Sequence, residues 1–311
     1  MSAMTSAGTS GAIAKNIARR KLYDAAFAII GLLATLIGIV TLLALLVDLS
    51  IDGAPHLTLD FFANFPSRIA ARAGILSAWV GSTLVITVTA ACGIPLGVAS
   101  AIYLEEYAPR TWLTDIIEIN VNNLAGVPSI VYGLLALGVL VYTLGLGHSI
   151  LTAGLTLSLL ILPIIIVATR EAIRAVPQGI REAACAVGAT KWQVIADHVL
   201  PYSTPGIMTG VIIGLARALG ETAPLITIGA LTFIAFLPPP PLQPDFPFLS
   251  FEWLMSAFTV LPIQMFNWLS RPGTDFHGNA AAAGLVLLFM TLLMNGVAIY
   301  IRHRLRKRIS W

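Results

Sequence analysis

The sequence has few charged side chains. Only 11% of its 311 residues are Asp, Glu, Lys or Arg, whereas 57% are hydrophobic. An ordinary soluble domain has roughly a quarter of its residues charged, because its surface must face water. The composition therefore excludes a soluble globular domain and predicts an all-α integral membrane protein, in which lipid is part of the solvent.

The sequence also lacks the motifs of enzymes and metal sites. It contains no Walker A loop, no HExxH, no CxxC pair and no nucleophile elbow, and its five His residues are dispersed. The only two cysteines, Cys92 and Cys185, lie in an apolar run and in a charged loop, which argues against a disulfide framework. We predict a non-enzyme without a metal site, driven by energy that is released in another protein.

Long apolar runs, in contrast, are abundant. A membrane-spanning helix needs about 20 apolar residues at 1.5 Å each. The first run is too long for a signal-peptide core and no cleavage site follows it, so we expect it to stay as a helix. Six transmembrane helices are predicted: Ala25 to Val47, Leu76 to Leu104, Ile119 to Leu146, Ile150 to Ala168, Gly206 to Leu237 and Ala280 to Ile301.

The basic residues are distributed unevenly between the two sides of this topology. Of the 18 Lys and Arg residues, all but Arg68, Arg72, Arg271 and Arg217 precede the first span or follow an even-numbered one. By the positive-inside rule both termini are cytoplasmic. A cytoplasmic anchor explains the basic C-terminal tail more simply than nucleic-acid binding, so we predict no nucleic-acid partner.

The topology divides the chain into three parts. Residues 1–24 form a cytoplasmic tail, in which the basic, mildly amphipathic segment 13–24 predicts a helix along the inner surface. Residues 25–301 form the six-span domain, with a long cytoplasmic segment at 170–204 and a long outer segment at 238–279. Residues 302–311 form a basic cytoplasmic tail.

The cytoplasmic segment has a helix, turn and helix pattern. Helix formers occupy Glu182 to Val187, Gly188 can supply a turn, and Lys191 to Leu200 is helical again until Pro201 stops it. Periodicity alone equally allows two short amphipathic helices that rest on the membrane. The identity of the residues decides between these interpretations.

Glu182-Ala183-Ala184, then Gly188, then Leu200-Pro201 resembles the EAA motif of permease subunits of ATP-binding-cassette (ABC) importers. The motif lies between the fourth and fifth of the six predicted spans, where the topology of such a permease requires it. The resemblance implies a type I ABC importer permease with the MetI-like fold. It also implies that this loop is a coupling helix docked in a cleft of a separate ATPase subunit.

Two charges, Arg217 and Glu221, interrupt the fifth apolar run. They are four residues apart and would share one helix face. Counted from Pro205, Arg217 lies about 18 Å into a hydrocarbon core about 30 Å thick, where a charge must be paired or hydrated. The two residues either form a static ion pair or line a water-filled path. We favour the path, because the planar fork of Arg suits a tetrahedral oxyanion.

Further segments extend the resemblance from about Gly74 to Arg304. AGVPSIVYGLLALG, LPIIIVATREAIRAVP, ALGETAPLI and FTVLPIQMFNWLSRP are similar to the PstA-type permease family of bacterial phosphate importers. The last of these, with the proline run Pro238 to Pro241, separates the chain from PstC-type sister subunits and from permeases for sulfate, molybdate or amino acids.

This resemblance implies phosphate import by a heterodimer with PstC in the bacterial inner membrane. Two copies of the ATPase PstB would use ATP and Mg²⁺, the extracytoplasmic protein PstS would deliver phosphate, and this chain would bind no cofactor. The paired charges of the family carry over onto Arg217 and Glu221. The sequence leaves open whether Arg217 contacts phosphate or only gates its passage.

Alternatives remain at this point. A related oxyanion importer for sulfate or molybdate is one, and a secondary transporter is another, although no inverted repeat supports it. A membrane sensor or scaffold would need no charges within its spans. The outer aromatic residues form either an interfacial belt, which we favour, or a docking surface for the binding protein; they are Phe251, Trp253, Phe258, Phe266 and Trp268.

Overall fold

The computed structural model of the chain describes residues 4–241 and 250–306. It has two compact units, Met1–Ile51 and Asp52–Trp311. Helix α1 (Met4–Gly53) forms the described part of the first unit and ends two residues into the second. It is continuous, so the helix predicted at 13–24 and the first span are one element. Residues 307–311 of the predicted basic tail and residues 242–249 of the outer segment lie outside the described residues.

The second unit is also helical, and neither described range contains a β-strand. Three wider π-helical segments adjoin the helices of this unit, at Tyr103–Tyr107, Leu137–Thr143 and Val194–Val199. The helices are α2 (Leu59–Ala63), α3 (Leu76–Ile102), α4 (Trp112–Leu124), α5 (Ser129–Ala136), α6 (Ile150–Arg174), α7 (Gln178–Ala186), α8 (Lys191–Gln193), α9 (Leu200–Gly220), α10 (Ala223–Thr227), α11 (Leu261–Leu269) and α12 (His277–Arg306).

Five uninterrupted stretches are long and apolar enough to cross a membrane, and a bent pair of helices can supply a sixth span. The predicted all-α fold with six spans is thereby confirmed, with changes in two of the spans. The uninterrupted stretches are Arg19–His56, Leu76–Tyr107, Ile150–Arg174, Lys191–Gly220 and Thr274–Arg304.

The third span, predicted as one helix from Ile119 to Leu146, is instead broken. Helix α4 begins earlier, at Trp112, and the stretch Ser129–Thr143 runs at 109° to it. The break contains Gly126, Val127 and Pro128. Pro128 lacks a backbone N–H and disfavours the helical conformation of the residue before it, so the chain changes direction here.

The fifth span is shorter than predicted. Helix α9 ends at Gly220, and Glu221 already has an extended backbone (φ −78°, ψ 129°). Only the short helix α10 follows before the chain becomes irregular up to α11. The predicted helix to Leu237 is therefore wrong, because Gly220 and Pro224 disfavour its continuation.

Pro201 does not stop the helix after the cytoplasmic turn. Helicity continues without interruption from Lys191 to Gly220. The π segment Val194–Val199 directly precedes Pro201, and a wider turn relieves the clash between a proline ring and the carbonyl four residues earlier. The predicted segment 170–204 thus shrinks, since its ends belong to α6 and α9.

Small residues bring α3, α6 and α9 close together. A Cβ atom at Gly97 would lie 2.7 Å from Cγ2 of Ile165, so α3 approaches α6 as closely as a glycine allows. On the other side of α6, a Cβ at Gly206 would lie 2.5 Å from that of Ala172. Helices in lipid pack through such small residues. Helix α6 is the centre of the second unit, with its apolar residues largely buried.

Candidate coupling segment and translocation path

Helix α7 presents most of the EAA residues to solvent. Glu182 and Ala183 are exposed, whereas Ala184 is 7% exposed and packs in a small apolar cluster with Ile173 and Val199. Ala184 therefore anchors α7 to the ends of α6 and α9. Its two neighbours are free to contact another molecule.

The turn after α7 requires glycine at position 188. Gly188 has φ +87°, a left-handed conformation that other L-residues rarely adopt. Its N–H bonds to the carbonyl of Cys185 (3.0 Å), and the N–H of Ala189 bonds to that of Ala184 (3.1 Å). These two bonds are the Schellman arrangement that ends a helix. The predicted role of Gly188 as the turn residue is thus present, although a side chain there would meet open space and not a neighbour.

A capping box starts the next helix two residues later. The Thr190 hydroxyl accepts from the N–H of Gln193, and the Gln193 side chain accepts from the N–H of Thr190 at 2.8 Å. Val187, just before the Gly188 turn, is 85% exposed, and Trp192, inside α8, is 61% exposed. Leu200 and Pro201 are half-buried within the continuous helix. We call α7, the Gly188 turn and α8 the tip; it is a short element with a cap at each side of the turn and with apolar side chains in solvent.

Arg181, one residue before the EAA residues, joins α7 to two other helices. Its guanidinium donates two hydrogen bonds to Oε1 of Glu106, at 3.2 and 3.0 Å. It donates two more to the backbone carbonyls of Val176 (2.7 Å) and Ile173 (2.9 Å). Both side chains of this ion pair are largely buried, so the contact is shielded from solvent.

A second group of ion pairs lies beside this contact. The buried Arg170 on α6 bonds to Glu105 (3.3 Å), in the π segment after α3, and to Glu118 on α4. Arg174 shares Glu105 at 2.9 Å and contacts Glu171 at 3.5 Å. We call these residues, with Arg181 and Glu106, the inner ion network. The network connects α3, α4, α6 and α7 at one end of the bundle.

The sequence pattern does not predict the inner ion network. In the sequence its three arginines indicate only a cytoplasmic side. The signal that could have found it is the acidic pair Glu105-Glu106 at the end of the second span, on the same predicted side as those arginines. Opposite charges clustered at helix ends favour ion pairs.

At the other end of α9 lies the predicted charged pair. Nε of Arg217 donates to Oε1 of Glu221 at 3.2 Å, so the structure does bring the two residues together. The geometry differs from the prediction, because Glu221 lies beyond the end of the helix and reaches back to its last turn. The Arg217 side chain is 37% exposed and that of Glu221 18%.

The second half of the broken third span, helix α5, contacts helix α10, which follows Glu221. Helix α5 approaches α10 so closely that a Cβ at Gly133 would lie 2.7 Å from Cα of Pro224 and would collide with the Thr227 hydroxyl. Tyr132, next to Gly133, is buried and donates to the carbonyl of Leu124 at 2.9 Å, across the break between α4 and α5. Two interrupted helices thus lie side by side next to Arg217 and Glu221.

The outer aromatic residues do not form one surface. Phe258 and Trp268 are 2% and 0% exposed and belong to the core, so neither a lipid belt nor a docking role fits them. Phe251 and Phe266 are exposed, at 68% and 55%. Trp253 is half-buried. The five aromatic residues therefore divide between the core and the surface, which the sequence pattern did not resolve.

Among the residues that the structure describes, no group of His, Cys, Asp or Glu could hold a metal ion. What the arrangement offers is mechanical and electrostatic. It has a solvent-exposed tip at one end, ion pairs that connect the tip to several helices, and a half-exposed arginine next to interrupted helices. With five or six apolar spans, these features are those of a membrane transport protein without a catalytic centre of its own among the described residues.

The family model for the inner membrane component of binding-protein-dependent transport systems matches residues 93–310. This match covers more than half of the chain, from the middle of α3 to the C-terminal tail. The chain belongs to this family of transport permeases.

Curated relatives extend the match. The phosphate transport system permease protein PstA of Pasteurella multocida is 32% identical over 276 residues, which cover 88% of this chain and 92% of the relative. PstA of Haemophilus influenzae is 30% identical over 288 residues, 92% of this chain and 96% of the relative. A probable ABC transporter permease of Bacillus subtilis, YqgI, is 34% identical over 214 residues, 68% and 72% of the two chains.

Solved structures of importers share the fold. A chain of a bacterial alginate ABC transporter, in complex with its alginate-bound periplasmic protein, superposes with a TM-score of 0.62 at 16% identity over 88% of this chain and 92% of that chain. A chain of the MetNI methionine transporter gives 0.53 at 17% identity, over 74% and 95%. The MetI-like architecture predicted from the sequence is therefore confirmed.

Proposed function

We propose that this chain is one of the two permease subunits of an ABC importer that carries inorganic phosphate across the bacterial inner membrane. The observation that carries the proposal is the exposed tip formed by α7, the Gly188 turn and α8, which displays the EAA pattern to solvent. Phosphate as the substrate is supported by the PstA relatives, which align with this chain over most of their length.

The proposed partners are inferred from the missing Walker A loop and from the exposed apolar side chains of the tip. Without a Walker A loop it needs a separate ATPase, proposed to be two copies of PstB, and these subunits would use ATP and Mg²⁺ while this chain binds no cofactor. The exposed Val187 and Trp192 suit an apolar cleft on that ATPase. A PstC-type sister subunit would complete the path, and PstS would deliver phosphate from outside.

The orientation follows from the same contact. A tip that docks on a cytoplasmic ATPase lies in the cytoplasm, and so do the ends of α6 and α9 that it connects. With six spans, counting the broken one, both termini are then cytoplasmic as well. The exposed cations Arg19, Arg20 and Lys21 before the first span agree with this side.

We propose Arg217 and Glu221 as part of the translocation path. Within residues 4–241 and 250–306, the Arg217 guanidinium has one hydrogen-bond partner, through Nε, and its terminal amino groups are available. A planar fork with free donors binds two oxygens of a phosphate ion at once. Irregular backbone at membrane depth is tolerated where it lines an aqueous cavity, as α10 and the break after α4 would do here.

The cycle is driven by ATPase closure. When the two ATPases close on ATP, the tip moves as a rigid body, because both of its helices are capped and Ala184 is buried. The displacement changes how α3, α6 and α9 pack at the path, and the outer end opens or closes.

The test is uptake of radiolabelled phosphate into proteoliposomes that contain this chain, its candidate sister subunit, ATPase and binding protein. We expect uptake only with ATP on the ATPase side, and no inhibition by excess sulfate or molybdate. Inhibition by either oxyanion would favour the related importers, and ATP-independent uptake would favour a secondary transporter. A membrane sensor would neither transport nor copurify with an ATPase.

The same vesicles test the orientation. Cys185 is exposed on α7 and free, and in a Cys92→Ser background it is the only thiol. A membrane-impermeant maleimide added before the ATPase should label it from one face only. ATP added at that same face should drive phosphate uptake. Labelling of Cys185 only from the face opposite to the one at which ATP acts would reject the proposed topology.

A further inference from the structure

Arg181 caps the end of α6 in addition to pairing with Glu106. The last carbonyls of a helix have no partner within it, and a cation near them also complements the helix dipole. Ile173 lies in the final turn of α6, which ends at Arg174, and Val176 follows two residues later. By bonding to both carbonyls, Arg181 fixes the distance and direction between α6 and α7 across the connection 175–177.

Glu106 carries the contact to a second spanning helix. It lies in the π segment Tyr103–Tyr107, which ends the stretch that begins with α3. Helices α3 and α6 are in close contact along their length, at Gly93 against Ile161 and at Gly97 against Ile165. One guanidinium thus contacts the ends of two helices that are closely packed against each other.

Open space lies beside this contact, so α7 is not packed tightly against the ends of α3 and α6 there. A cavity of about 500 Å³ lies between the ends of α3, α6 and α7, and its lining includes Glu105, Glu106, Arg110, Arg174 and Arg181. A displacement of α7 can reach α9 directly, through the Gly188 turn and the uninterrupted helix from Lys191 to Gly220. Toward α3 and α6 the route is narrower, since it consists of the chain connection at Val176 and Pro177, the apolar cluster around Ala184 and the contacts of Arg181. The four hydrogen bonds of Arg181 are directional and span this region.

We propose that Arg181 is the positioning residue that transmits displacement of α7 to the ends of α3 and α6. The role requires a fork, since a lysine ammonium could not reach Glu106 and both carbonyls in this geometry. The inference rests on the proposed importer function and adds to it the element between the ATPase contact and the moving helices. Glu182, Ala183 and Gly188 would contact or shape the tip, and Arg181 would connect that tip to the spans.

The experiment measures how many ATP molecules are hydrolysed per phosphate imported, in proteoliposomes with the complete complex. Arg181→Met should assemble with its partners and hydrolyse ATP, with the ratio of ATP to phosphate raised about tenfold, as expected when a coupling contact between sites is removed. A purely structural role would reduce the amount of assembled complex and leave the ratio per complex unchanged. That result would overturn the proposal.

Two further variants keep the test decisive. Arg181→Lys retains the charge and supports assembly, and it should raise the ratio less than Arg181→Met. Glu106→Gln should raise it by itself, and combining Glu106→Gln with Arg181→Met should raise it no further than the larger single effect, because both remove one contact. Multiplication of the two single effects would overturn the link through Glu106.

Arg110→Met is the matched control. Arg110 lines the same cavity, and no ion pair of it is found among the described residues, so the ratio should stay at the parental value. The parental complex distinguishes the two proposals. If it fails to import phosphate, the proposed function and this inference both fall; an active parent with an unchanged ratio in Arg181→Met overturns the inference alone.

Discussion

The chain contains two kinds of arginine–glutamate contact, at opposite ends of α9 and its neighbours. In the inner ion network, Arg170 is 5% exposed and bonds to carboxylates from two other elements, and Arg181 makes four hydrogen bonds. The second contact joins Arg217 and Glu221, which we call the outer pair. Arg217 is bonded once, to this glutamate four residues away, and its side chain is 37% exposed.

The difference shows how one residue type can serve two purposes. A buried guanidinium bonded to more than one element fixes the relative positions of helices, and removing one partner leaves a buried charge. A half-exposed guanidinium with a local partner holds few elements together and keeps donors available for an anion. Neutralising charges in the inner ion network should therefore lower stability, whereas neutralising the outer pair should lower phosphate uptake.

The largest effect is expected at the outer pair. Arg217→Met with Glu221→Gln removes both charges together and avoids an unpaired glutamate, so the variant should assemble and unfold like the parent. It should lose phosphate uptake roughly 100-fold, the equivalent of two charge-assisted hydrogen bonds at about 1.5 kcal/mol each.

The control for this variant is Arg271→Met. Arg271 lies over the ring of Phe276 at 4.0 Å and bonds to Asn267, outside the proposed path, and its removal should leave uptake near the parental rate. Parental uptake by an assembled Arg217→Met, Glu221→Gln complex would show that the pair is structural and that the path lies elsewhere.

The second-largest effect is expected at Arg170, on the stability of the chain. Arg170→Met leaves Glu118 without its arginine and Glu105 with only the more exposed Arg174, and should lower the free energy of unfolding by about 3 kcal/mol. Thermal unfolding of the detergent-solubilised chain measures this as a lower Tm. Adding Glu118→Gln should restore part of the loss, because one uncompensated charge is gone. An unchanged Tm for Arg170→Met would refute the view that this network holds the helices.

The sequence predicts the global architecture well, for identifiable reasons. Apolar runs such as Leu76 to Leu104 and Ile150 to Ala168 follow directly from bilayer thickness, and both lie within helices. The EAA loop was located by residue identity, and its glycine has the positive φ that the turn needs. These features depend on local chemistry, which a single chain displays.

The predictions that failed have two causes. Apolar composition continues through Gly126-Val127-Pro128 and beyond Gly220, so hydropathy alone did not reveal the breaks, although Pro128, Gly220 and Pro224 favour them locally and α5 packs on α10 beside them. Hydropathy likewise gives no partner for a charge. The pairing of Arg181 with Glu106, 75 residues earlier, is visible only once α3 and α6 lie side by side.

Arg174 should show the smallest effect and thereby test whether burial, and not charge alone, separates the contacts of the inner ion network. Its side chain is 47% exposed, and of its two partners Glu171 is 67% exposed while Glu105 keeps Arg170. Exposed ion pairs contribute about 0–1 kcal/mol, so Arg174→Met should change the free energy of unfolding by less than about 1 kcal/mol and uptake by less than about twofold. Thermal unfolding and uptake measured beside Arg170→Met check this. A loss as large as that of Arg170→Met would mean that Glu105 depends on both cations, and that the network acts as one unit in spite of the difference in exposure.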